Sequence, residues 1–228
     1  MRLSIVLTTI VLASIPTGIS QGQTTHTCFG EPATVVGTSG DDDDLFRGPD
    51  DVVVGLGGVD EVSGRLACGN KGDDRWVSGY MVDAGPGNDD EVRLRGDGVL
   101  AIGGSGNDDF VDDDGDQRQV WRGGAGHDRF TPAAGDDVFY GGTGMDSIGG
   151  GEPGWSDKLR LFGGADNDTL SGGTSKDKIY GEDGDDTLSV AHDDGGIEDL
   201  VDGGPGFDTC TITAGDRAVN CEDVTSLG

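Results

Sequence analysis

The sequence predicts an all-β solenoid, and three observations carry that prediction. First, a nine-residue unit recurs. From Gly123 to Gly149 three copies follow without a gap: G-G-A-G-H-D-R-F-T, P-A-A-G-D-D-V-F-Y and G-G-T-G-M-D-S-I-G. Each starts with small residues and keeps Gly at the fourth place, Asp at the sixth and a bulky apolar residue at the eighth (Asp128, Asp137, Asp146; Phe130, Phe139, Ile148). Second, the apolar residues sit in triplets with polar flanks, as in Lys158-Leu159-Arg160, Lys178-Ile179-Tyr180 and Thr187-Leu188-Ser189. That is period-two alternation, so the strands are very short and point one residue inward. Third, no stretch sustains a helical period. A short strand and a Gly-rich turn, repeated, bury their apolar faces only by stacking on neighbouring copies.

Composition narrows the function. Gly contributes 45 of 228 residues and Pro only 7, with no Gly-X-Y period, which excludes collagen. Asp and Glu total 44 against 15 Lys and Arg, a net charge of -29. Such a chain repels nucleic acid and anionic membranes and attracts cations. Apolar content of 33% would suit a disordered chain. The regular return of an apolar residue two places after an Asp argues against that.

The N-terminus reads as an export signal. Arg2 precedes an apolar stretch, residues 3–15, too short to span a bilayer, and a small-residue exit ends near Ser20. Residues 1–20 are therefore assigned to a signal peptide, and the mature charge becomes -29 minus 1, or -30. Cys28, Cys68, Cys210 and Cys221 allow three pairings. Cys210 and Cys221 are close in sequence and pair, which leaves Cys28 with Cys68; both bridges suit an oxidising extracellular setting. No C-x-x-C is present and His26, His127 and His192 are scattered, so no zinc site is expected.

Along the chain, a lead-in from Cys28 offers a first strand at residues 34–36. The run Asp41 to Asp44 contains one Asp in register and reads otherwise as a solvated loop. A short unit with Pro49 at the fourth place carries Asp51; complete units carry Asp60 and then Asp74, with Trp76 at the inward place. Asp89, Asp108 and Asp128 are 19 and 20 residues apart, close to twice nine. Only remnants lie half-way, at Gly96-Asp97-Gly98 and Asp114-Gly115-Asp116. The simplest account is two units per coil, one edge keeping its loops and the other degraded. Units with Asp157, Asp168 (Asp166 at the fourth place), Asp177 (Ser175 there), Asp186 and Asp208 follow, with a weak one at Asp199. Residues 28–210 form the solenoid; residues 211–228 hold Cys221 and no repeat, and read as a disulfide cap.

A hard divalent cation such as calcium takes six to eight oxygens in flexible geometry. An Asp side chain and carbonyls bared by a Gly-rich turn supply only oxygens. With two units per coil, Asp128 lies over Asp146, Asp168 over Asp186, Asp137 over Asp157 and Asp177 over Asp199. Carboxylates stacked at a strand spacing of about 4.8 Å repel unless a cation lies between them. The candidate metal ligands are the side chains of Asp51, Asp60, Asp74, Asp89, Asp108, Asp128, Asp137, Asp146, Asp157, Asp168, Asp177, Asp186 and Asp208. Carbonyls join them near Gly58, Gly106, Gly123, Gly126, Gly141, Gly144, Gly163, Gly181, Gly184, Gly203 and Gly206. Trp121 and Trp155 are read as packing rather than sugar-stacking residues. The acceptor pattern Asn167-Asp168-Thr169 falls inside a metal turn. No catalytic or nucleotide-binding motif is present, so the chain is read as a non-enzyme.

The unit G-G-x-G-x-D-x-U-x resembles the hemolysin-type (RTX) calcium-binding nonapeptide repeat, over roughly Gly37 to Cys210. The opening C-F-G-E-P-A-T-V-V-G and the closing Val219-Asn220-Cys221-Glu222-Asp223 resemble a secreted actinobacterial type. The resemblance implies a right-handed parallel β-roll with several Ca2+ ions in the turns, bound by Asp side chains and turn carbonyls. It implies weak sites where Asp166, Ser175 and Pro49 replace Gly. An N-terminal signal and four cysteines depart from relatives exported through a C-terminal signal, so their toxin activity is not carried over. The expectation is an extracellular, monomeric calcium-binding protein whose folding and rigidity depend on calcium, with no nucleic-acid partner. The alternatives are a calcium-dependent adhesin or polysaccharide-binding module, and an accessory module of an RTX enzyme.

Overall fold

The computed structural model describes residues 25–46, 48–96, 100–112, 118–133, 135–149, 158–190 and 197–227. The segment assigned to export lies outside them, as do Trp155, Asp157 and most of the remnants around Asp97 and Gly115. Among the described residues every regular element is a strand. The chain alternates between two parallel sheets. Sheet one has eleven strands, from Val35–Val36 to Arg217–Val219. Sheet two has ten, from Glu61–Ser63 to Asp223–Leu227. A small antiparallel pair, Thr27–Cys28 with Glu31–Pro32, precedes them. The molecule is a parallel β-roll. Its two edges differ: first-edge turns lead from sheet one to sheet two, second-edge turns lead back.

Strand pairing stacks like on like. Val82, Ala101, Trp121, Phe139, Leu161, Ile179 and Val201 form one inward file from sheet one. Val77, Val92, Phe110, Phe130, Ile148, Leu170, Leu188 and Cys210 form the facing file from sheet two. All are buried in one core. Where the files are bulkiest the rings interlock, Phe130 stacking on Phe139 at 4.9 Å and Phe110 meeting Trp121 edge-on at 5.8 Å. Trp121 is thus a core residue, as read. Trp76 is not: it is 38% exposed, and Val77 takes the inward place. The pairing of Glu61 with Trp76 shows why, because one more residue separates Asp74 from its strand than separates Asp60 from its own.

Both disulfides join the expected partners, Cys28 to Cys68 and Cys210 to Cys221. The first pins the lead-in over sheet one, where Cys28, Val52, Val54, Leu66 and Cys68 make a second apolar cluster. Closing a loop of 40 residues stabilises by about 4 kcal/mol in the chain-entropy account. The tail is more than a cap. Thr209–Thr213, Arg217–Val219 and Asp223–Leu227 extend both sheets.

Candidate metal site: two columns of acidic turns

Each first-edge turn has the form of residues 141–146, G-G-T-G-M-D. In most of these turns the second and fourth residues take positive φ, as at Gly142 (123°) and Gly144 (108°). Asp166 (78°) and Glu182 (74°) adopt the same conformation without being Gly, so the non-consensus turns keep their shape. Gly is needed at Gly124 for a further reason: a Cβ there would collide with the Gly104 carbonyl oxygen of the preceding coil. Turn carbonyls are therefore packed one coil upon the next.

The sixth residues form a continuous column. The N–H of Asp60 donates to Asp74 Oδ1 (2.9 Å), that of Asp74 to Asp89 (2.8 Å), that of Asp89 to Asp108 (2.9 Å) and that of Asp108 to Asp128 (2.9 Å). The series continues through Asp146, Asp168, Asp186 and Asp208 at 2.7–2.9 Å. Coil lengths along it vary from 14 residues, Asp60 to Asp74, to 22, Asp146 to Asp168, yet the contact is the same. Asp42 opens the column, its N–H donating to Asp60 Oδ1 (2.9 Å). Glu222 closes it, accepting from the Asp208 N–H (2.9 Å).

The second oxygen of each carboxylate is left over. Oδ2 of Asp60, Asp74, Asp89, Asp108, Asp128, Asp146, Asp168, Asp186 and Asp208 is buried without a hydrogen-bond partner. A buried, unpartnered carboxylate oxygen is costly. Apart from Asp89, whose turn opens on Ala84, each of these oxygens faces the first Gly of its own turn and a carbonyl of the next coil. A Cβ on Gly141 would collide with both Asp146 Oδ2 and the Gly163 carbonyl oxygen, and one on Gly163 with Asp168 Oδ2. Gly103, Gly123 and Gly181 make the same cradle.

Burial, with repulsion between neighbours, pushes these carboxyls up: Asp74, Asp108, Asp146 and Asp168 to about 7 and Asp89 to about 8. Burial raises Asp128 to about 6, opposed by the hydrogen bond its carboxylate accepts from the Asp108 N–H. Asp60, Asp186 and Asp208 move the same way. Folded values above the ordinary carboxylate value mean that protonation favours the metal-free fold. Its stability is fully present below about pH 4 and is lost as pH rises through about 6 to 8. Metal-depleted protein is expected to melt in urea with a clear midpoint at pH 5 that falls as pH rises and is lost by pH 8; a midpoint independent of pH would contradict the burial of these groups.

The second edge is discontinuous. Its column reads Gln119, Asp137, Leu159, Asp177, Asp199, Asp216, the backbone pairing fixing each place. Asp137 Oδ1 accepts from the Gln119 N–H (2.8 Å), Asp177 from Leu159 (2.8 Å) and Asp199 from Asp177 (2.8 Å). The stacking expected of Asp137 on Asp157 is corrected: Leu159 holds the adjacent place, since Arg160 pairs with Val138. Asp157 itself lies outside the described residues. Asp51 also stands apart from the first column. It precedes sheet one on the second edge, beside Arg65 in register, and accepts from Thr34 Oγ1 (2.8 Å).

The sequence reading missed a further row. At the fifth place the N–H of a coil donates back to the previous coil where that coil offers an acceptor: Asn107 to Asn88 Oδ1, His127 to Asn107 Oδ1 and Met145 to His127 Nδ1, each 2.8 Å. Asp185 donates to Asn167 Oδ1 (2.9 Å) and Phe207 to Asp185 Oδ1 (2.8 Å). Asn, Asp and His alternate there because each offers an acceptor, a likeness of function rather than of residue type.

The donor chemistry fits a hard cation. Carboxylate and carbonyl oxygens meet in the turns, and the Oδ2 atoms of the first column have no other use. Among the described residues no three His, Cys, Asp or Glu side chains converge on one point. An ion here would draw most of its ligands from backbone carbonyls. A family model described as RTX calcium-binding nonapeptide repeat (4 copies) matches residues 122–152 and 160–190. These spans include Asp128, Asp137, Asp146, Asp168, Asp177 and Asp186. No curated protein and no solved structure matches the chain. The chain carries RTX calcium-binding nonapeptide repeats, wound into a parallel β-roll.

Proposed function

We propose that this is an extracellular, non-enzymatic calcium-binding protein, with folding and rigidity set by calcium held chiefly along the first edge. The observation that carries the reading is the unbroken file of buried Oδ2 atoms from Asp60 to Asp208. Asp74, Asp89, Asp108, Asp128, Asp146, Asp168 and Asp186, with first-place carbonyls such as those of Gly123, Gly141, Gly163 and Gly181, would hold the ions. Bound calcium supplies the positive charge that offsets these carboxylates. The disulfides and the signal-like residues 1–20 support export. Recovery from the medium of a chain lacking those residues checks it.

Titration calorimetry tests the reading; an absence of calcium binding would end it. Leu159→Asp tests the placement of the sites. It restores an acidic residue between Asp137 and Asp177, and the number of bound calcium ions is expected to rise, whereas Leu159→Ala leaves it unchanged. Equal stoichiometry in Leu159→Asp and the parent would show that the second-edge column is not a ligand row. As an adhesin the chain would need another surface than Trp121, which is fully buried.

A further inference from the structure

In a chain of net charge -29 with only 15 Lys and Arg, five cations line one cavity of about 170 Å³ on the second edge: Arg118, Lys158, Arg160, Lys176 and Lys178. Among the described residues of its wall, Asp136 is the one acid. Arg217 lies close by, in an adjoining hollow with Lys176 and Lys178. Arg160 and Lys178 are paired on adjacent strands of sheet one. Lys158 and Lys176 precede the column places Leu159 and Asp177, which are adjacent in the same way. Four of the charges therefore form two rows of two, each spaced at the strand spacing, about 4.8 Å. All five side chains are exposed. Lys176 reaches Glu198 at 3.8 Å.

We propose that this basic corner binds the oxyanion groups, sulfate or carboxylate, of an acidic polysaccharide. The cavity admits single oxyanion groups, and the repeating rows suit a polymer that presents such groups at regular intervals. Nucleic acid fits less well. Two residues along the same strands, Phe162 is stacked between Tyr140 and Tyr180 at 4.8 and 5.0 Å, so both its faces are taken, and Arg122 lies over Tyr140, which leaves little aromatic face for bases. The inference uses the calcium-loaded fold but assigns no calcium ligand. The rival account is that these cations only balance the buried Asp137, Asp177 and Asp199.

The test uses the full chain with saturating calcium at low salt. Binding to dextran sulfate and to carboxymethyl-dextran is measured against neutral dextran, with inorganic sulfate as competitor and single-stranded DNA as a further probe. Binding of either anionic dextran, but not of dextran, is expected, with competition by sulfate. The pair Arg160→Glu and Lys178→Glu should weaken it about tenfold or more, while reversal of the exposed Arg95, which lies outside this cavity, by Arg95→Glu leaves it unchanged. Calcium stoichiometry and melting temperature should not move in either variant. The proposal falls if neither anionic dextran binds, if charge reversal leaves affinity intact, or if DNA binds as tightly. It falls too if the double variant loses calcium or stability, which is the mark of cations that only balance aspartates.

Discussion

Stripping calcium from this chain at pH 8 is expected to abolish its parallel β structure, and restoring calcium to return it cooperatively. The core is one inward residue per strand, too thin to carry an opposing electrostatic cost. Neighbouring ionised carboxylates about 4.8 Å apart would each cost about 3 kcal/mol at an effective dielectric of about 20, repeated from Asp60 to Asp208. Without metal the roll must hold protons or come apart, and at pH 8 protons are scarce even for groups raised to about 7. Each calcium offsets two charges, and every carboxylate touches both neighbouring coils, so filling one place prepares the next. Circular dichroism during calcium titration of metal-depleted protein reads this directly. A β signal unchanged at zero free calcium would overturn it.

Gly141→Ala is expected to lower both the stability and the calcium affinity of the roll. The Gly141 backbone is ordinary, so conformational strain is not the cause. The added carbon occupies the space shared by Asp146 Oδ2 and the Gly163 carbonyl oxygen. Overpacking there costs about 3 kcal/mol and removes the cradle as well. Gly149→Ala is the control, because a Cβ at Gly149 meets nothing within 4 Å. Calcium affinity and melting temperature should both fall for the first variant and stay for the second. Equal behaviour would show that the cradle has room to spare.

The period of the aspartates made the roll and its first edge legible. Asp128 over Asp146 and Asp168 over Asp186 follow from spacing alone, because backbone pairing repeats whatever period the turns impose. Spacing failed where residues were added. One extra residue after Asp74 turned Trp76 outward. The long connection from Ile148 to Arg160 moved the second column's place from Asp157 to Leu159, whose own side chain reads equally well as core. Asp42 was hidden in a run of four aspartates, and its N–H contact with Asp60 and its place beside Gly37 single it out. The fifth-place row was invisible because its members share an acceptor and nothing else.

The direction of the aspartate bonds gives the roll unequal ends. Along the first column each Asp N–H is satisfied by the carboxylate of the coil that follows it, never by the one before. Cutting coils from the N-terminal side leaves a spare acceptor at the break. Cutting them from the C-terminal side leaves an orphaned donor, the more costly loss. Glu222, one carbon longer than the aspartates it terminates, is the stopper that spares Asp208 this loss. The molecule is a one-way stack whose integrity is guaranteed from its far end.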